Sequence, residues 1–382
     1  MGRSGALIGI DARAADGVPN GLTTYARALV AALARIDQRH SYIVIRRPNT
    51  GPPFVALPHV KEIFMAGDAS TPTLGGGVSA LRLDLYHSLH HFLPFGLNVP
   101  RIVITVHDLI WLEHRDLIRS GRLAATTRWA THFYARLAMR YAARRADRVI
   151  AVSAHTRARF AAYFGMDPSR IAVVHHGVAH DAFRPSPGQQ TSADGPYFLC
   201  IGNSKPYKNI PTALRAFALC AADLPGVRLV IMGRGDSKTG LTRLARQLGC
   251  EDRVTFAGFT SAETLLDRLH GALALVFPSI VEGFGLPVLE AMAAGCPVIG
   301  SSCPTVAEVA GPAALLCDPR RPEEFAAAMT RVASDASLRD ELRKSGIARA
   351  SRFGWTRCAE ETLCVYDSVL GAGACDSPAM TA

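Results

Sequence analysis

Short apolar runs alternate with longer amphipathic stretches along almost the whole chain. Ala6 to Ile10, Tyr42 to Arg46, Leu83 to His87, Arg101 to Val106, Val149 to Val152 and Ile171 to Val174 are near-continuous apolar runs. A strand with one wet face would alternate with period two, so these runs predict strands covered on both faces. Between them, stretches such as Leu22 to Ile36 place apolar residues three and four apart, the period of a helix with one buried face. The alternation resumes with strands predicted at Tyr197 to Gly202, Arg228 to Gly233, Val254 to Gly258 and Ala272 to Phe277. Short apolar segments follow at Val306 to Val309 and Leu315 to Asp318, then two helices through Ser351. Strand–helix alternation of this kind predicts an α/β fold with doubly wound, Rossmann-like parallel sheets. At 382 residues the chain is long for one core and comfortable for two. The boundary is expected in PSPGQQTSADGP, residues 185–196, which has almost nothing to bury. The expected organisation is a first domain over 1–186, a linker over 187–196, a second domain over 197–354 and a disordered tail over 371–382.

One unit of the pattern carries chemistry. In ALALVFPSIVEGFGLPVLEAMAAGCPVIGSS, Ala272 to Ser302, an apolar strand stops at Pro278-Ser279 and a turn with two glycines follows. A helix then runs from Leu286 to a stop at Gly295, and Pro297-Val298-Ile299 opens the next strand. Such a turn aims free N–H groups and the positive end of a helix at one point, which suits a phosphate. Glu282 and Glu290, with seven residues between them, are carboxylates in an otherwise apolar run, placed to accept hydrogen bonds from hydroxyls. Phosphate plus several hydroxyls describes a sugar nucleotide.

Composition narrows the class. Apolar content of 49% against 19% charged fits a globular protein with ample core. No apolar run reaches the roughly 18 residues that span a bilayer. The N-terminus enters a strand directly, without a signal-peptide core, so the expected location is the cytosol. The cysteines all fall between Cys200 and Cys375 without C-x-x-C spacing, which favours neither a disulfide framework nor a zinc site. Charge is one-sided: residues 1–186 carry 23 Lys and Arg against 12 Asp and Glu, a net of +11. The stretch Arg115 to Arg148 is expected to be helical and mixes Arg119, Arg122, Arg128, Arg136, Arg140, Arg144, Arg145 and Arg148 with Trp129, Phe133, Tyr134 and Tyr141. That mixture suits an anionic membrane boundary, a nucleic acid, or a solvated face.

The segment PSIVEGFGLPVLEAMAAGCPVIGS resembles the E-x7-E signature of retaining glycosyltransferases of family 4, whose GT-B architecture sets two Rossmann-like domains facing a cleft. The likeness covers most of the chain. VPNGLTTY is similar to the family's N-terminal glycine loop, implying that Gly21 lets backbone approach the donor. VHD resembles the T-x-HD segment, implying that His107 contacts the transferred sugar while Asp108 shapes the pocket or the acceptor side. HHGVAHDAF is similar to the family's N-G-V-D-x-x-x-F, with His176 and His180 standing for Asn and Asp. NSKPYKN resembles the basic loop of the second domain, implying that Lys208 holds the donor's phosphates. Asn203 stands where the family often has Arg, and Lys205 is the nearby candidate for the second charge.

The resemblance further implies that N–H groups of Phe284, Gly285 and Leu286 face the diphosphate, that Glu290 holds the ribose, and that Glu282 grips the sugar. No cofactor or bound metal is expected, and the three histidines His87, His90 and His91 lack partners in ligand geometry. Trp355 to Leu370, in this fold, packs back onto the first domain. The most similar HDL and KN loops belong to enzymes that transfer mannose or related hexoses onto bacterial surface polysaccharides. That implies GDP-mannose as donor, a glycan or lipid-linked acceptor, and a place at the inner face of the cell membrane. The rival readings are a sugar-nucleotide epimerase or phosphorylase of the same architecture, and a basic nucleic-acid-binding protein.

Overall fold

The apolar runs become strands because only a strand flanked by helices on both sides removes all of its side chains from water. The computed structural model describes residues 5–15, 20–48, 50–67, 75–118, 125–183, 195–203, 205–233, 238–258 and 261–371. The expected linker and tail lie, but for 195–196 and 371, outside the described residues, as do Arg119, Arg122 and the side chains of Arg128 and Trp129. The chain divides into two units, one of residues 1–113, 122–177 and 355–382, the other of 114–121 and 178–354.

The first unit holds a seven-stranded parallel sheet: β1 (Leu7–Asp11), β2 (Ser41–Arg46), β3 (Val60–Phe64), β4 (Leu85–Ser88), β5 (Arg101–Val106), β6 (Arg148–Ala151) and β7 (Ile171–Val173). Their order is β3-β2-β1-β4-β5-β6-β7. The second unit has six parallel strands: β8 (Tyr197–Ile201), β9 (Arg228–Met232), β10 (Val254–Gly258), β11 (Ala274–Phe277), β12 (Val298–Ser301) and β13 (Leu315–Cys317). Here the order is β10-β9-β8-β11-β12-β13. In each sheet the winding reverses beside the first strand, between β1 and β4 and between β8 and β11. Open α/β sheets bind ligands beyond the carboxyl ends of the strands at such a reversal.

One strand was not foreseen and two expectations needed correction. β3 lies inside a Pro- and Gly-rich stretch and is only half covered, so it lacks the apolar run of a central strand. Arg115 to Arg148 is not one helix but a 3₁₀ turn, Arg115–Ile118, a helix, Ala125–Arg145, and the start of β6. Val306 to Val309 belongs to a helix, Pro304–Ala310, whose proline occupies the first turn, where no N–H is needed.

The last helix, Trp355–Leu370, belongs to the first unit and packs on the helix Gly21–Ile36. Its buried stripe includes Cys358, Ala359, Val365 and Tyr366, and Asp367 meets Arg39 at 3.1 Å. Where the chain enters and leaves the second unit, Val178 N–H donates to Phe353 O at 3.1 Å. Seven of the cysteines are free and buried.

Gly233, just after β9, sits at φ +152, and its N–H donates to Gly258 O at 2.9 Å. A Cβ there would lie 1.6 Å from Gly202 O at the end of β8. Gly233→Ala is therefore expected to cost more than about 2 kcal/mol of stability. Denaturant unfolding checks this; an unchanged midpoint would mean that the two strand ends are free to part.

Candidate functional site

In the second unit the site forms where β8 and β11 end side by side. After β8 the chain makes a 3₁₀ turn, Pro206–Lys208, and Asn209 takes the left-handed conformation at φ 53 before the helix Ile210–Cys220. Asn209 tolerates that conformation because its short amide finds local partners. Its Nδ2 donates to Pro278 O at 3.0 Å and to Pro319 O at 2.7 Å, while its Oδ1 accepts from Thr212 at 2.9 Å. One side chain thereby ties the ends of β11 and β13 to the turn after β8. Ile280 N–H donates to Tyr207 O at 2.8 Å and closes the same seam.

That seam brings Lys208 and Glu282 together: Nζ to Oε1 is 2.7 Å, with side chains only 15% and 9% exposed. The Glu282 carbonyl accepts from Thr305 Oγ1 at 2.9 Å, which fixes the carboxylate's backbone. Asn203 accepts from Lys205 N–H at 3.1 Å, so the residue in place of the expected arginine shapes the turn that carries Lys205.

Beyond Glu282, Gly285 stands at φ 105 ahead of the helix Leu286–Ala293, and no side chain caps that helix. Only glycine adopts this conformation without strain. The helix therefore opens with backbone N–H groups beside the Lys208–Glu282 pair in sequence and fold, an arrangement that attracts an anion. Phe284 and Leu286 are buried, and the Phe284 ring meets Phe353 at 6.2 Å between centroids. Glu290 lies one turn into the helix. Burial pushes its carboxyl up to about 7, and among the described residues nothing hydrogen-bonds to that carboxylate.

The first unit supplies the other candidates. Gly21 is the first residue of its helix and is exposed, while Asn20 caps the helix by accepting from Thr23 N–H at 3.0 Å. His107 follows β5, and its Nε2 lies 2.9 Å from Leu89 O. A carbonyl only accepts, so Nε2 carries the proton; burial lowers the ring's pKa to about 4. The neutral ring thus leaves Nδ1 as an acceptor. Asp108 Oδ1 accepts from Ile110 N–H at 3.0 Å at the start of the helix Ile110–Glu113, so this carboxylate helps form the turn. Among the described residues no group of three or more His, Cys, Asp or Glu is placed to hold a metal ion. His87 is buried between two hydroxyls, Tyr366 OH at 2.7 Å and Thr105 Oγ1 at 2.8 Å.

The sequence reading missed Asn209, Thr305 and the neighbours of His87. Only the Asn before the helix at Ile210 left a signal, since Asn favours such boundaries.

Comparisons with known proteins bear on the family and the fold. Residues 185–349 match the profile of "Glycosyl transferases group 1", and residues 19–182 that of "Glycosyltransferase Family 4". The chain is 28% identical over 292 residues to the Escherichia coli O-antigen chain mannosyltransferase B, covering 74% of each. It is 33% identical over 245 residues to a D-inositol 3-phosphate glycosyltransferase of Streptomyces scabiei, covering 59% of this chain and 55% of that one. The chain therefore spans little more than half the length of some of its curated relatives. Among solved structures, a sucrose-phosphate synthase from Thermosynechococcus elongatus superposes with a TM-score of 0.77 at 21% identity, over 96% of this chain and all of that one. Anabaena HepE, solved with UDP and glucose, gives 0.72 at 18% identity, over 95% of this chain and all of that one. At such identities these likenesses establish the fold, two Rossmann-like domains of the GT-B class.

The Glu290 carboxyl yields a test independent of any substrate. Its pKa in the fold is above its free value of 4.5, so protonation favours the fold. Its contribution is present below that value and lost as pH rises through about 7. Glu290→Gln is expected to melt above the wild type at pH 8, with the gap closing by pH 5. A variant that melts lower at pH 8 would show that the carboxylate is already well solvated.

Proposed function

The chain belongs to the glycosyltransferases of group 1 and family 4, and on that premise we propose that it moves a hexose from a nucleotide-sugar donor to a lipid-linked or cell-surface polysaccharide acceptor. The observation that carries this reading is the Lys208–Glu282 pair, held 2.7 Å apart beside an uncapped helix start. A cation, backbone donors and carboxylates meet there, the set that a sugar diphosphate requires. The proposed reaction retains configuration at the anomeric carbon and uses no bound metal.

The proposed roles are those the family resemblance implies, and the geometry within each unit supports them. Lys208, with Lys205 and the N–H groups at Phe284, Gly285 and Leu286, stabilises the diphosphate as the anomeric carbon–oxygen bond breaks. Glu290, whose carboxylate has no hydrogen-bond partner among the described residues, accepts from the ribose hydroxyls. Glu282 and the Nδ1 of His107 accept from hydroxyls of the sugar, and Gly21 offers close backbone approach to the donor. Asp108, already engaged in its turn, shapes the acceptor side. The acceptor hydroxyl attacks on the face the diphosphate leaves and gives its proton to a diphosphate oxygen. In the free enzyme Lys208 is already occupied by Glu282. A bound diphosphate therefore takes over the lysine and releases the carboxylate toward the sugar.

GDP-mannose is the first donor to test, supported by the mannosyltransferase among the relatives. A panel of GDP-, UDP-, ADP- and dTDP-sugars read by thermal shift identifies the base, because a ligand that binds only the folded state raises the melting temperature. No shift with any of them, against tight binding of an oligonucleotide at physiological salt, would overturn the reading. With the donor known, Lys208→Ala is expected to lower kcat about 100-fold while changing donor affinity little. A raised KM with unchanged kcat would instead make Lys208 a ground-state anchor. Lys208→Met with Glu282→Gln separates loss of the cation from the cost of stranding a buried carboxylate.

A place at the inner face of the cell membrane is part of the proposal. On the helix Ala125–Arg145, Phe133, Tyr134 and Leu137 are 49%, 41% and 48% exposed, beside exposed Arg136, Arg140 and Arg144. Exposed rings interleaved with guanidinium groups match an anionic headgroup layer, each basic residue contributing about 1 kcal/mol. Among the described residues no helix is long and apolar enough to cross a membrane. The protein is expected to co-sediment with vesicles containing anionic lipid, to be released by moderate salt, and to lose binding in Arg140→Ser/Arg144→Ser. Equal binding to neutral vesicles, or none to either kind, would sink this part.

A further inference from the structure

We propose that Tyr25 is a positioning residue for His107, held in place by a buried hydrogen-bonded chain that ends on the last helix. The inference rests on the reading that His107 meets the transferred sugar. Tyr25 lies one turn into the helix Gly21–Ile36 and is 1% exposed. Its ring stands edge-on to the His107 ring, 5.0 Å between centroids at 79°, and stacks on His176 at 4.6 Å. Its hydroxyl is 3.0 Å from Thr105 Oγ1, on the strand that carries His107 two residues later. From there the chain continues through His87 to Tyr366 OH, with each bond under 3.0 Å.

Thr105, His87 and Tyr366 are wholly buried. A polar chain in an apolar core costs stability unless every member is satisfied, and then it holds its members rigidly. A neutral imidazole donates from one nitrogen and accepts at the other, and here both face a hydroxyl. Burial lowers the His87 pKa to about 3, so the ring stays neutral and the chain stays closed at working pH.

His107 has its own anchor at Leu89 O, which fixes one ring nitrogen but leaves the ring free to tilt about that bond. The Tyr25 ring packs nearest to it at 5.0 Å, with the His176 ring 5.4 Å and the His90 ring 6.4 Å away. Tyr25 therefore sets the direction of Nδ1, and the last helix holds Tyr25 through Tyr366. Arg39 and Asp367 pin that helix one residue further on. Because misplacing a contacting group by about 1 Å can cost about 100-fold in rate, a residue that touches no substrate can still govern turnover.

The test uses the full-length protein with Tyr25→Phe, Tyr25→Leu and Tyr366→Phe, transfer kinetics, and NMR of isotope-labelled histidine rings. Tyr25→Phe keeps the ring and cuts its tether, and is expected to lower kcat about 10-fold with the donor KM within about two-fold. Tyr25→Leu removes the ring edge; it should lower kcat about 100-fold and displace the His107 signals. Tyr366→Phe, far from any substrate, should move the His87 signals and lower kcat several-fold. His107 signals that stay put in Tyr25→Phe and Tyr25→Leu overturn the proposal whatever happens to transfer, as does a loss confined to KM. His107→Ala transferring at wild-type speed would instead overturn the role given to His107, while displaced ring signals in Tyr25→Leu would still report the coupling. If Tyr25→Leu does not fold, Tyr25→Phe and Tyr366→Phe decide alone.

Discussion

The ion pair between Lys208 and Glu282 is the contact on which the second unit's arrangement turns. Two charges with side chains mostly out of water stay there only if each satisfies the other and the surrounding turns hold them at bonding distance. Asn209, Thr305 and the Ile280–Tyr207 backbone bond provide that hold, and none of them needs to touch a ligand. The pair joins the segments that follow β8 and β11, the two strands between which the winding of the sheet reverses. Parallel topology leaves an opening there. The ion pair gives the opening its chemistry.

Around that pair the two glutamates of the signature have different surroundings, although the sequence presents them as equals. Glu282 is neutralised by a lysine. Glu290 sits in a helix with no hydrogen-bond partner among the described residues, and burial raises its pKa to about 7. One carboxylate is matched by a cation. The other is shaped by burial. Identical residue types thus carry different energies because one faces a charge and the other is held away from water without one.

Most of the fold was legible in the chain because central parallel strands are covered on both faces and must be apolar throughout. β1, β5, β8 and β11 announce themselves in that way. β3 did not, since its VKEIF alternates and is half covered. The loop around Glu282 was legible too, because glycine at a positive φ, proline in the first helical turn and spaced carboxylates leave marks in a short window. The bonds of Asn203 and Asn209 were not, although Asn209 stands at a helix boundary, because their partners lie far along the chain or depend on the turn itself. The Tyr25, Thr105, His87 and Tyr366 chain was invisible for a simpler reason. Its links join residues 80, 18 and 279 positions apart, and no local pattern encodes such a meeting.

The discontinuity of the first unit has a consequence for biosynthesis. Residues 1–177 emerge from the ribosome well before Cys358, Ala359, Val365 and Tyr366, which belong to the same core. Domains generally fold as units and in order of synthesis. Here the second unit is complete in the nascent chain while the first still lacks the helix that covers Gly21–Ile36. The earlier half must wait with an apolar helix face uncovered and the Nδ1 of His87 without its Tyr366 partner, so docking of the helix Trp355–Leu370 completes the first unit. A chain released short of Trp355 would carry a finished second unit and an unfinished first one, a species for chaperones and proteases to recognise.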